Sequence, residues 1–314
     1  MSKYLITGGA GFIGGHITEM LVKDGHDVVV FDNFSTGNIT NLAAVANTVK
    51  VIEGDIQDIN ALDSAMDGID YVIHQAAEIS VVRSVSEPVF VNAVNVNGTL
   101  NVLMSAKDHG VKRVVMASSS AVYGDTGTRA QSEECMPNPL SPYGASKMAG
   151  EHYLSVFYQI YGLETVRLRY FNVFGPRQNP KSQYAAVIPK FIDRILSGQE
   201  IRIYGDGEQT RDFVYVENVA RANCLACIAK DAPGKVFNIA SEQTVTVNEM
   251  ANQLTELSGK KVEVVYDPPV LGDIKYSSSD ISQARKVLGY EPSVTFIEGL
   301  KRTFDYFAAK ARPV

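Results

Sequence analysis

The sequence predicts an α/β protein with a doubly wound parallel sheet and a smaller mixed α/β lobe. Short runs of β-branched residues lack polar alternation, as in strands that are covered on both faces. Segments with apolar residues at helical spacing separate these runs, which indicates right-handed βαβ units. Pro and Gly become denser after residue 174. We therefore expect a first domain at 1–174 and the lobe at 175–314.

Strand and helix patterns alternate through the first domain. The strands are predicted at 4–6, 28–31, 49–52, 71–73, 113–117 and 166–170, and the helices at 12–23, 60–66, 89–109 and 143–161. The last helix has the clearest ends, because Ser141 is a good N-cap, Pro142 suits the first turn and Gly162 lies just beyond the end. Strand-like runs at 212–216 and 236–240 predict that segment 212–241 returns to the first domain.

Composition and charge restrict the partners. The 314 residues carry 29 Lys and Arg against 35 Asp and Glu, a net charge of −6 that argues against nucleic acid or an anionic membrane as a partner. No run of about 18 apolar residues predicts a membrane span, and Gly8 and Gly9 interrupt the N-terminus before a signal-peptide pattern forms. Three cysteines are too few for a disulfide framework, so we expect a reducing, cytoplasmic compartment.

Cys224 and Cys227 form a C-x-x-C motif with two interpretations. They could be a redox pair or half of a zinc site, or they could both face the core from a helix near 219–229. The sequence contains no second C-x-x-C motif, and its five histidines are scattered. The core interpretation is therefore favoured, and no metal site is predicted.

A glycine-rich turn joins the first strand to the first helix. Gly8, Gly11 and Gly14 occupy the positions where the chain turns tightly, where backbone approaches a pyrophosphate and where helix packs on strand. The N–H groups of the first helical turn, which includes Phe12 and Ile13, would bind the phosphates. The turn therefore predicts a dinucleotide site.

Asp32 ends the second strand 18 residues after the last glycine of the turn. A carboxylate at this place accepts a hydrogen bond from a ribose 2′-hydroxyl and repels a 2′-phosphate, so we predict NAD rather than NADP. The ends of the third and fourth strands should line the same crevice with Asp55, Ile56, Gln75, Ala76 and Ala77. For His74, a hydrogen-bonded residue at a strand end is the favoured interpretation.

Tyr143 and Lys147 lie four residues apart, which places a phenol and an ammonium on one face of a helix. Tyrosine has a pKa of about 10, so a base near neutral pH needs that pKa lowered by ~3 units, or ~4 kcal/mol. An ammonium ~4 Å away supplies about that much at an effective dielectric constant of ~20. Ser118, Ser119 and Ser120 come after the strand 113–117, where one hydroxyl can bond the reacting oxygen. These elements predict a tyrosinate that removes a proton from an alcohol as hydride leaves.

Several motifs make the chain resemble the extended short-chain dehydrogenase/reductase family. They are TGGAGFIG at 7–14, DNF at 32–34, HQAA at 74–77, NVNG at 95–98, SSSAVYG at 118–124, Y-x-x-x-K at 143–147 and RYFNVFG at 169–175. Within the family the chain most resembles UDP-glucose 4-epimerases, nearly from end to end. The resemblance implies a Rossmann domain, tightly held NAD, a UDP-sugar substrate and a homodimer formed through two helices of each subunit.

The resemblance also implies residue roles. Ser119 joins Tyr143 and Lys147 as the catalytic set, since it lies four residues before Tyr123 in the serine motif. The cofactor site gains Asn33, Ser35, Thr36, Gly37, Asn95, Tyr143, Lys147, Tyr170 and Val173. The implied substrate contacts are Ser119, Ser120, Tyr143, Asn172, Ala186, Val187, Ile203, Tyr204, Arg211, Asp273 and Ser277.

Two positions near Asp273 affect which substrate is expected to bind. Family members usually carry Arg three residues before the Asp that binds the uridine ribose, and this chain has Val270 there, so one phosphate cation is missing. The residue four positions after that Asp faces the C2 substituent of the sugar. Here it is Ser277, which leaves room for an acetamido group, whereas an alignment shifted by one residue would place Tyr276 there. We therefore expect activity on UDP-N-acetylglucosamine as well as UDP-glucose.

The residues directly after the catalytic hydroxyl restrict which reaction the site could catalyse. Similar enzymes that dehydrate or decarboxylate nucleotide sugars carry a carboxylate there, and those that epimerise C3 and C5 carry Cys; this chain has Ser120 and Ala121. Reversible C4 epimerisation through a 4-keto sugar, with NAD retained, needs neither. Two alternatives stay open: another NAD-dependent nucleotide-sugar oxidoreductase or uronic-acid epimerase, and a non-catalytic nucleotide-binding regulator.

Overall fold

The computed structural model describes residues 1–180, 187–269 and 274–311. The strands in these ranges are β1 (Lys3–Thr7), β2 (Asp27–Asp32), β3 (Lys50–Glu53), β4 (Tyr71–His74), β5 (Arg113–Ser119), β6 (Glu164–Tyr170), β7 (Asn172–Phe174), β8 (Ile201–Tyr204), β9 (Thr210–Tyr215), β10 (Val236–Ile239), β11 (Thr244–Thr246) and β12 (Val264–Asp267). The α-helices are α1 (Phe12–Lys23), α2 (Ile59–Met66), α3 (Val81–Ser86), α4 (Pro88–Asn92), α5 (Gly98–Asp108), α6 (Pro142–Tyr161), α7 (Val187–Leu196), α8 (Val216–Ile228), α9 (Val247–Ser258), α10 (Ser282–Leu288) and α11 (Phe296–Ala311).

A seven-stranded sheet with the order β10-β6-β5-β4-β1-β2-β3 organises these elements. Every pair of neighbours in it is parallel. The chain runs outward from β1 to β3 and then returns to β4 on the other side of β1, so the loops after β1 and β4 border the crevice where such sheets bind ligands. The predicted doubly wound α/β fold is confirmed. Two smaller sheets have the orders β11-β9-β7 and β12-β8.

Both faces of the large sheet are buried. Along β1, Tyr4 and Ile6 pack into one hydrophobic core and Leu5 into another, because successive side chains of a strand point to opposite faces. Residues of α1 and α8 complete the first core, and residues of α2, α5 and α6 complete the second. A third core surrounds Phe174 and Phe213 and includes side chains from α7, α9 and α11.

Two predicted elements differ from the structure. The helix expected at 89–109 is divided into α4, a π-helical turn over Ala93–Asn97, and α5. Within segment 212–241, β10 pairs with β6 in the large sheet, but β9 pairs with β7 and β11 instead. The domain boundary at residue 174 stays a prediction.

Among residues 1–180, 187–269 and 274–311, no helix combines the length and the apolar character that a membrane crossing requires.

Candidate active site

The turn between β1 and α1 depends on two glycines. Gly8 has a φ of +69°, and a Cβ on Gly14 would lie 2.2 Å from the carbonyl oxygen of Gly8. Gly11 is the N-cap of α1, and the described part of the chain supplies no side-chain cap to that first turn. Unpaired N–H groups at a helix start bind phosphate, so a pyrophosphate fits this turn.

Asp32 ends β2 and is only 6% exposed. Its carboxylate accepts hydrogen bonds from the backbone N–H groups of Ala10, at 2.9 Å, and Phe34, at 2.8 Å. Burial raises the pKa of Asp32, and these two hydrogen bonds oppose the rise. The carboxylate therefore holds the glycine turn in place and also lines the crevice, where a ribose diol would meet it.

A cavity of about 390 Å³ extends along the carboxyl ends of the central strands, within the size range of cofactor sites. Most of the predicted cofactor residues line it: Gly8, Gly11, Phe12, Ile13, Gly14, Asp32, Asn33, Ser35, Thr36, Asp55, Ile56, Gln75, Ala76, Ala77, Tyr143, Lys147, Tyr170 and Val173. The glycine turn, the Asp32 carboxylate and this wall together fit a dinucleotide.

Two predicted cofactor residues do not line the cavity. Gly37 packs against Asp32, since a Cβ on Gly37 would lie 2.7 Å from a carboxylate oxygen of that residue. Asn95 lies in the π-helical turn, where its amide accepts from the backbone N–H of Glu78 and donates to the Glu78 carbonyl and the Ser146 hydroxyl. Both residues support the wall through the neighbours that they contact.

The end of β5 and the helix α6 bring the predicted catalytic residues together. Ser119, at the end of β5, and Tyr143, in the first turn of α6, both line the cavity, and Ser119 is the side chain whose polar influence lowers the pKa of Tyr143. Lys147 donates from Nζ to the carbonyl oxygen of Ala117 at 3.0 Å, and the same Nζ lies 5.9 Å from the centroid of the Tyr143 ring. Ser119, Tyr143 and Lys147 all line the cavity, so a phenol, a hydroxyl and an amine face the same space.

Burial governs the protonation of this set. It raises the pKa of Tyr143, an effect that the nearby Ser119 hydroxyl opposes, and it lowers the pKa of Lys147 to about 8. Each shift has the same cause, because the charged form of each side chain loses its hydration. The expectation that Lys147 by itself lowers the Tyr143 pKa differs from the structure, in which the Lys147 Nζ is bonded to a carbonyl oxygen.

His74 and Gln75 hold the cavity wall at the end of β4. The His74 ring is hydrogen-bonded to the hydroxyls of Thr7, at 2.7 Å, and Thr99, at 3.0 Å. Burial, and then the charge of Lys147, lower the His74 pKa to about 3, so the ring is neutral, as expected for a hydrogen-bonded strand end. Gln75 donates to the Tyr170 hydroxyl at 2.9 Å.

Comparison with known proteins places this geometry in a family. Residues 4–240 match the NAD dependent epimerase/dehydratase family. The chain belongs to that family. The match confirms the predicted resemblance, and it makes the protein an enzyme of an NAD-dependent family.

One relative and two solved structures are similar to this chain over nearly its whole length. A putative UDP-glucose 4-epimerase from Methanocaldococcus jannaschii is 41% identical over 305 residues, which cover 96% of this chain and 97% of the relative. The crystal structure of a UDP-glucose 4-epimerase with UDP-glucose from Thermotoga maritima is 39% identical, has a TM-score of 0.94 and is matched over 99% of this chain and 100% of that one. A UDP-N-acetylglucosamine 4-epimerase from Methanobrevibacter ruminantium, in complex with UDP-N-acetylmuramic acid, is 40% identical with a TM-score of 0.94, over 98% and 99% of the two chains.

Enzymes of uronic acids are also similar to this chain. A UDP-glucuronate 4-epimerase from Thermodesulfobacterium geofontis is 35% identical. The match covers 98% of this chain and 96% of the relative. A UDP-N-acetyl-alpha-D-glucosaminuronate decarboxylase from Bacillus cytotoxicus is 35% identical, with 97% of each chain covered. Similarity at this level therefore establishes the family but not the substrate.

The predicted substrate contacts fall into two groups, those that line the cavity and those that do not. Ser119 and Tyr143 line the cavity. Other predicted contacts lie in the described residues but outside its wall: Ser120, Asn172, Val187, Ile203, Tyr204, Arg211 and Ser277. Asn172 donates to the carbonyl oxygen of Asp212 at 2.9 Å, and Ile203 is buried in the third core, so its side chain faces apolar neighbours. Ala186, Val270 and Asp273 lie outside the described residues.

The cavity wall also contains residues that sequence reasoning missed. Some are neighbours of predicted residues along the chain and could have been inferred from the strand ends, namely Phe31, Gln57, Ala117 and Phe171. Others come from the loop after β4 and from the helical segments beyond it, and had no sequence signal: Glu78, Ile79, Arg83, Phe90 and Val94. Arg83 is paired with Glu78 at 2.8 Å and lies over the Phe90 ring, 4.1 Å from its centroid.

The C-x-x-C motif lies in α8. Cys227 is buried in the first core, and Cys224 is partly buried against it. Burial raises the pKa of Cys224 to about 12, so its thiol is protonated and unreactive. The core interpretation is confirmed. Within the ranges that the structure describes, no cluster of three or more His, Cys, Asp or Glu side chains could hold a metal ion.

Proposed function

We propose that the protein catalyses the reversible C4 epimerisation of a UDP-hexose. The convergence of Ser119, Tyr143 and Lys147 on the cavity that the glycine turn and Asp32 also line carries the proposal. The chemistry needs one base beside the C4 hydroxyl and one hydride acceptor, and it needs no further acid or base. UDP-glucose and UDP-galactose are the proposed pair, with UDP-N-acetylglucosamine and UDP-N-acetylgalactosamine as additional substrates.

Each residue of the set has a role in moving one proton. Tyr143 would take the proton of the C4 hydroxyl, while the Ser119 hydroxyl holds that oxygen by a hydrogen bond. NAD, when bound, supplies the hydride acceptor and a positive ring that favours the tyrosinate. Lys147 anchors α6 to the end of β5 through the Ala117 carbonyl, which keeps the phenol in the cavity wall. The 4-keto sugar would then rotate and regain hydride on its other face, with Tyr143 returning the proton.

The residues after Ser119 favour this reaction over elimination or decarboxylation. Ser120 begins a 3₁₀ helix (Ser120–Val122), and the next residue is Ala121, so this turn contains no carboxylate that could act as acid or base at C5. The similarity of the chain to UDP-sugar 4-epimerases supports the same choice.

A panel of UDP-sugars tests the proposal. The purified chain is incubated with UDP-glucose, UDP-N-acetylglucosamine and UDP-glucuronate, without added cofactor, and the products are identified by NMR. C4 epimers of the first two are the expected products. Consumption of added NADH would indicate a reductase, conversion of UDP-glucuronate alone would indicate a uronic-acid enzyme, and loss of carbon dioxide would indicate a decarboxylase.

We further propose a homodimer formed through two helices of each subunit, α5 and α6. Met104 on α5 and Ile160 on α6 are exposed apolar side chains, and Ile160 is 69% exposed. A neighbouring copy would remove these side chains from water. Ile160→Glu should shift the protein to a monomer in sedimentation, whereas Ile297→Glu, at a similarly exposed residue of α11, should leave the mass unchanged. Equal masses for wild type and both variants would contradict this interface.

A further inference from the structure

A buried ion pair between Glu151 and Arg169 contacts Ser118, the residue before Ser119 in the proposed catalytic set. The carboxylate of Glu151, on α6, accepts from the Arg169 guanidinium at 2.8 Å and 2.7 Å and from the Ser118 hydroxyl at 2.5 Å. The Glu151 and Arg169 side chains are 7% and 5% exposed. The Arg169 guanidinium also lies over the Tyr123 ring, 4.6 Å from its centroid. The buried Glu151 carboxylate thus links α6 to β5 and β6.

The contact with Ser118 has neighbours on both sides along β5. The residue before it, Ala117, accepts from the Lys147 ammonium, and the residue after it, Ser119, lines the cavity together with Tyr143. Two consecutive residues of β5 are therefore hydrogen-bonded to α6, the third shares the cavity wall with it, and the three partners on α6 are spaced four residues apart. Side chains at this spacing share one face of a helix, so the three positions form a ladder.

A second ion pair between the same strands provides a contrast. Arg113 and Glu164 pair across β5 and β6 at the opposite end of the register, with 2.7 Å between the guanidinium and the carboxylate. The Glu164 side chain is 44% exposed, whereas both members of the pair behind the site are buried. A buried pair is poor evidence for net stability, because desolvation offsets the attraction. Its hydrogen-bond directions do, however, restrict where the attached elements can lie.

We propose that Glu151 is a positioning residue for the reaction, acting through Ser118 to set the distance between Ser119 and Tyr143. This role rests on the proposed function and its catalytic set. Glu151 lies outside the cavity wall, so its effect passes through the ladder. A reacting group displaced by about 1 Å can lose about 100-fold in rate while the substrate still binds. The rate of hydride transfer should therefore depend on Glu151 and Ser118, and substrate affinity should not.

Three variants test this positioning role in the full-length protein. Glu151→Gln removes the charge behind the site, Ser118→Ala removes one contact and keeps the Glu151–Arg169 pair, and Glu164→Gln removes the matched pair at the far end of the strands. Stopped-flow absorbance of reduced nicotinamide after mixing with UDP-glucose measures hydride transfer, and its concentration dependence gives the apparent affinity. NMR of the products is collected on the same samples.

The expected result is a loss in rate at unchanged affinity. Ser118→Ala should slow nicotinamide reduction about 10-fold and Glu151→Gln about 100-fold, with affinity within about 2-fold of wild type. Glu164→Gln should keep both values. If Glu151→Gln does not fold, because Arg169 is left unpaired, Ser118→Ala decides the test.

Several outcomes would overturn the inference. A wild-type rate in Ser118→Ala would do so, as would an affinity that falls in step with the rate or an equal loss in Glu164→Gln. Wild-type protein that reduces its nicotinamide and forms no C4 epimer would contradict the proposed function alone. No reduction with any UDP-sugar would contradict both.

Discussion

His74 makes the stability of the protein sensitive to acid. Its ring is fully buried between the hydroxyls of Thr7 and Thr99, and burial, together with the charge of Lys147, lowers its pKa from 6.5 to about 3. The unfolded chain therefore binds more protons than the folded chain between these values, and the stability from neutral His74 is present above pH 6.5 and is lost as the pH falls. At 1.36 kcal/mol per pH unit, the loss between pH 6.5 and about pH 5 is ~2 kcal/mol.

The substitution His74→Gln tests this magnitude. Glutamine keeps a donor and an acceptor but does not titrate, so it should cost ~1–2 kcal/mol near neutral pH through imperfect hydrogen bonds. The difference between wild type and variant should then shrink by ~2 kcal/mol at about pH 5. Urea unfolding at the two pH values, with NAD in fixed excess, measures both free energies of unfolding. His152→Gln, at an exposed position of α6, is the matched control.

Two results would contradict this role of His74. If the free-energy difference between wild type and His74→Gln is the same at both pH values, His74 does not titrate on unfolding and its burial does not set the acid sensitivity. A parallel change in His152→Gln would show that the effect comes from histidines in general.

Three further predictions concern the site. Tyr143→Phe should keep the fold and the bound NAD and lose several orders of magnitude in rate, whereas Ser119→Ala should lose only a hydrogen bond of ~1–3 kcal/mol; near-native turnover of the Phe variant would remove Tyr143 from the mechanism. Asp32 should make the protein reject NADP through charge repulsion, and equal affinities for NAD and NADP in an equilibrium titration would contradict this assignment. Ser277→Tyr should abolish turnover of UDP-N-acetylglucosamine and spare UDP-glucose, since overpacking costs ~1–3 kcal/mol, and equal loss of both activities would show that Ser277 does not face the C2 substituent.

Much of the cavity wall could be predicted because its requirements are local. The glycine turn needs backbone conformations that only glycine adopts easily, and Asp32 lies beyond it at the distance that one helix and one strand impose. The positions of Ser119 and Tyr143 also result from local periodicity, since one ends a strand and the other begins a helix. Each inference depended on a few neighbouring residues, and the parallel sheet then brought the strand ends to one edge.

The residues beyond β4 could not be predicted in the same way. Arg83 and Phe90 reach the cavity from α3 and α4, and apolar spacing does not show where these short helices lie. The π-helical turn adds one residue to the helix between α4 and α5, which apolar periodicity does not detect. Within that turn, the Asn95 amide is hydrogen-bonded to the backbone of Glu78. The role expected for Asn95 at the cofactor therefore differs from the contacts that the structure contains.

The spacing of Tyr143 and Lys147 in the sequence predicts their relative position but not their pKa values. The Y-x-x-x-K spacing places the phenol and the amine on one face of α6, but it does not set the dielectric around them. Burial raises the Tyr143 pKa and lowers that of Lys147 to about 8, so the same cavity wall favours the neutral form of both groups. A group that brings positive charge into this cavity would lower the Tyr143 pKa and lower the Lys147 pKa further. The base is therefore expected to become active when the charged cofactor is present, rather than by virtue of the lysine alone.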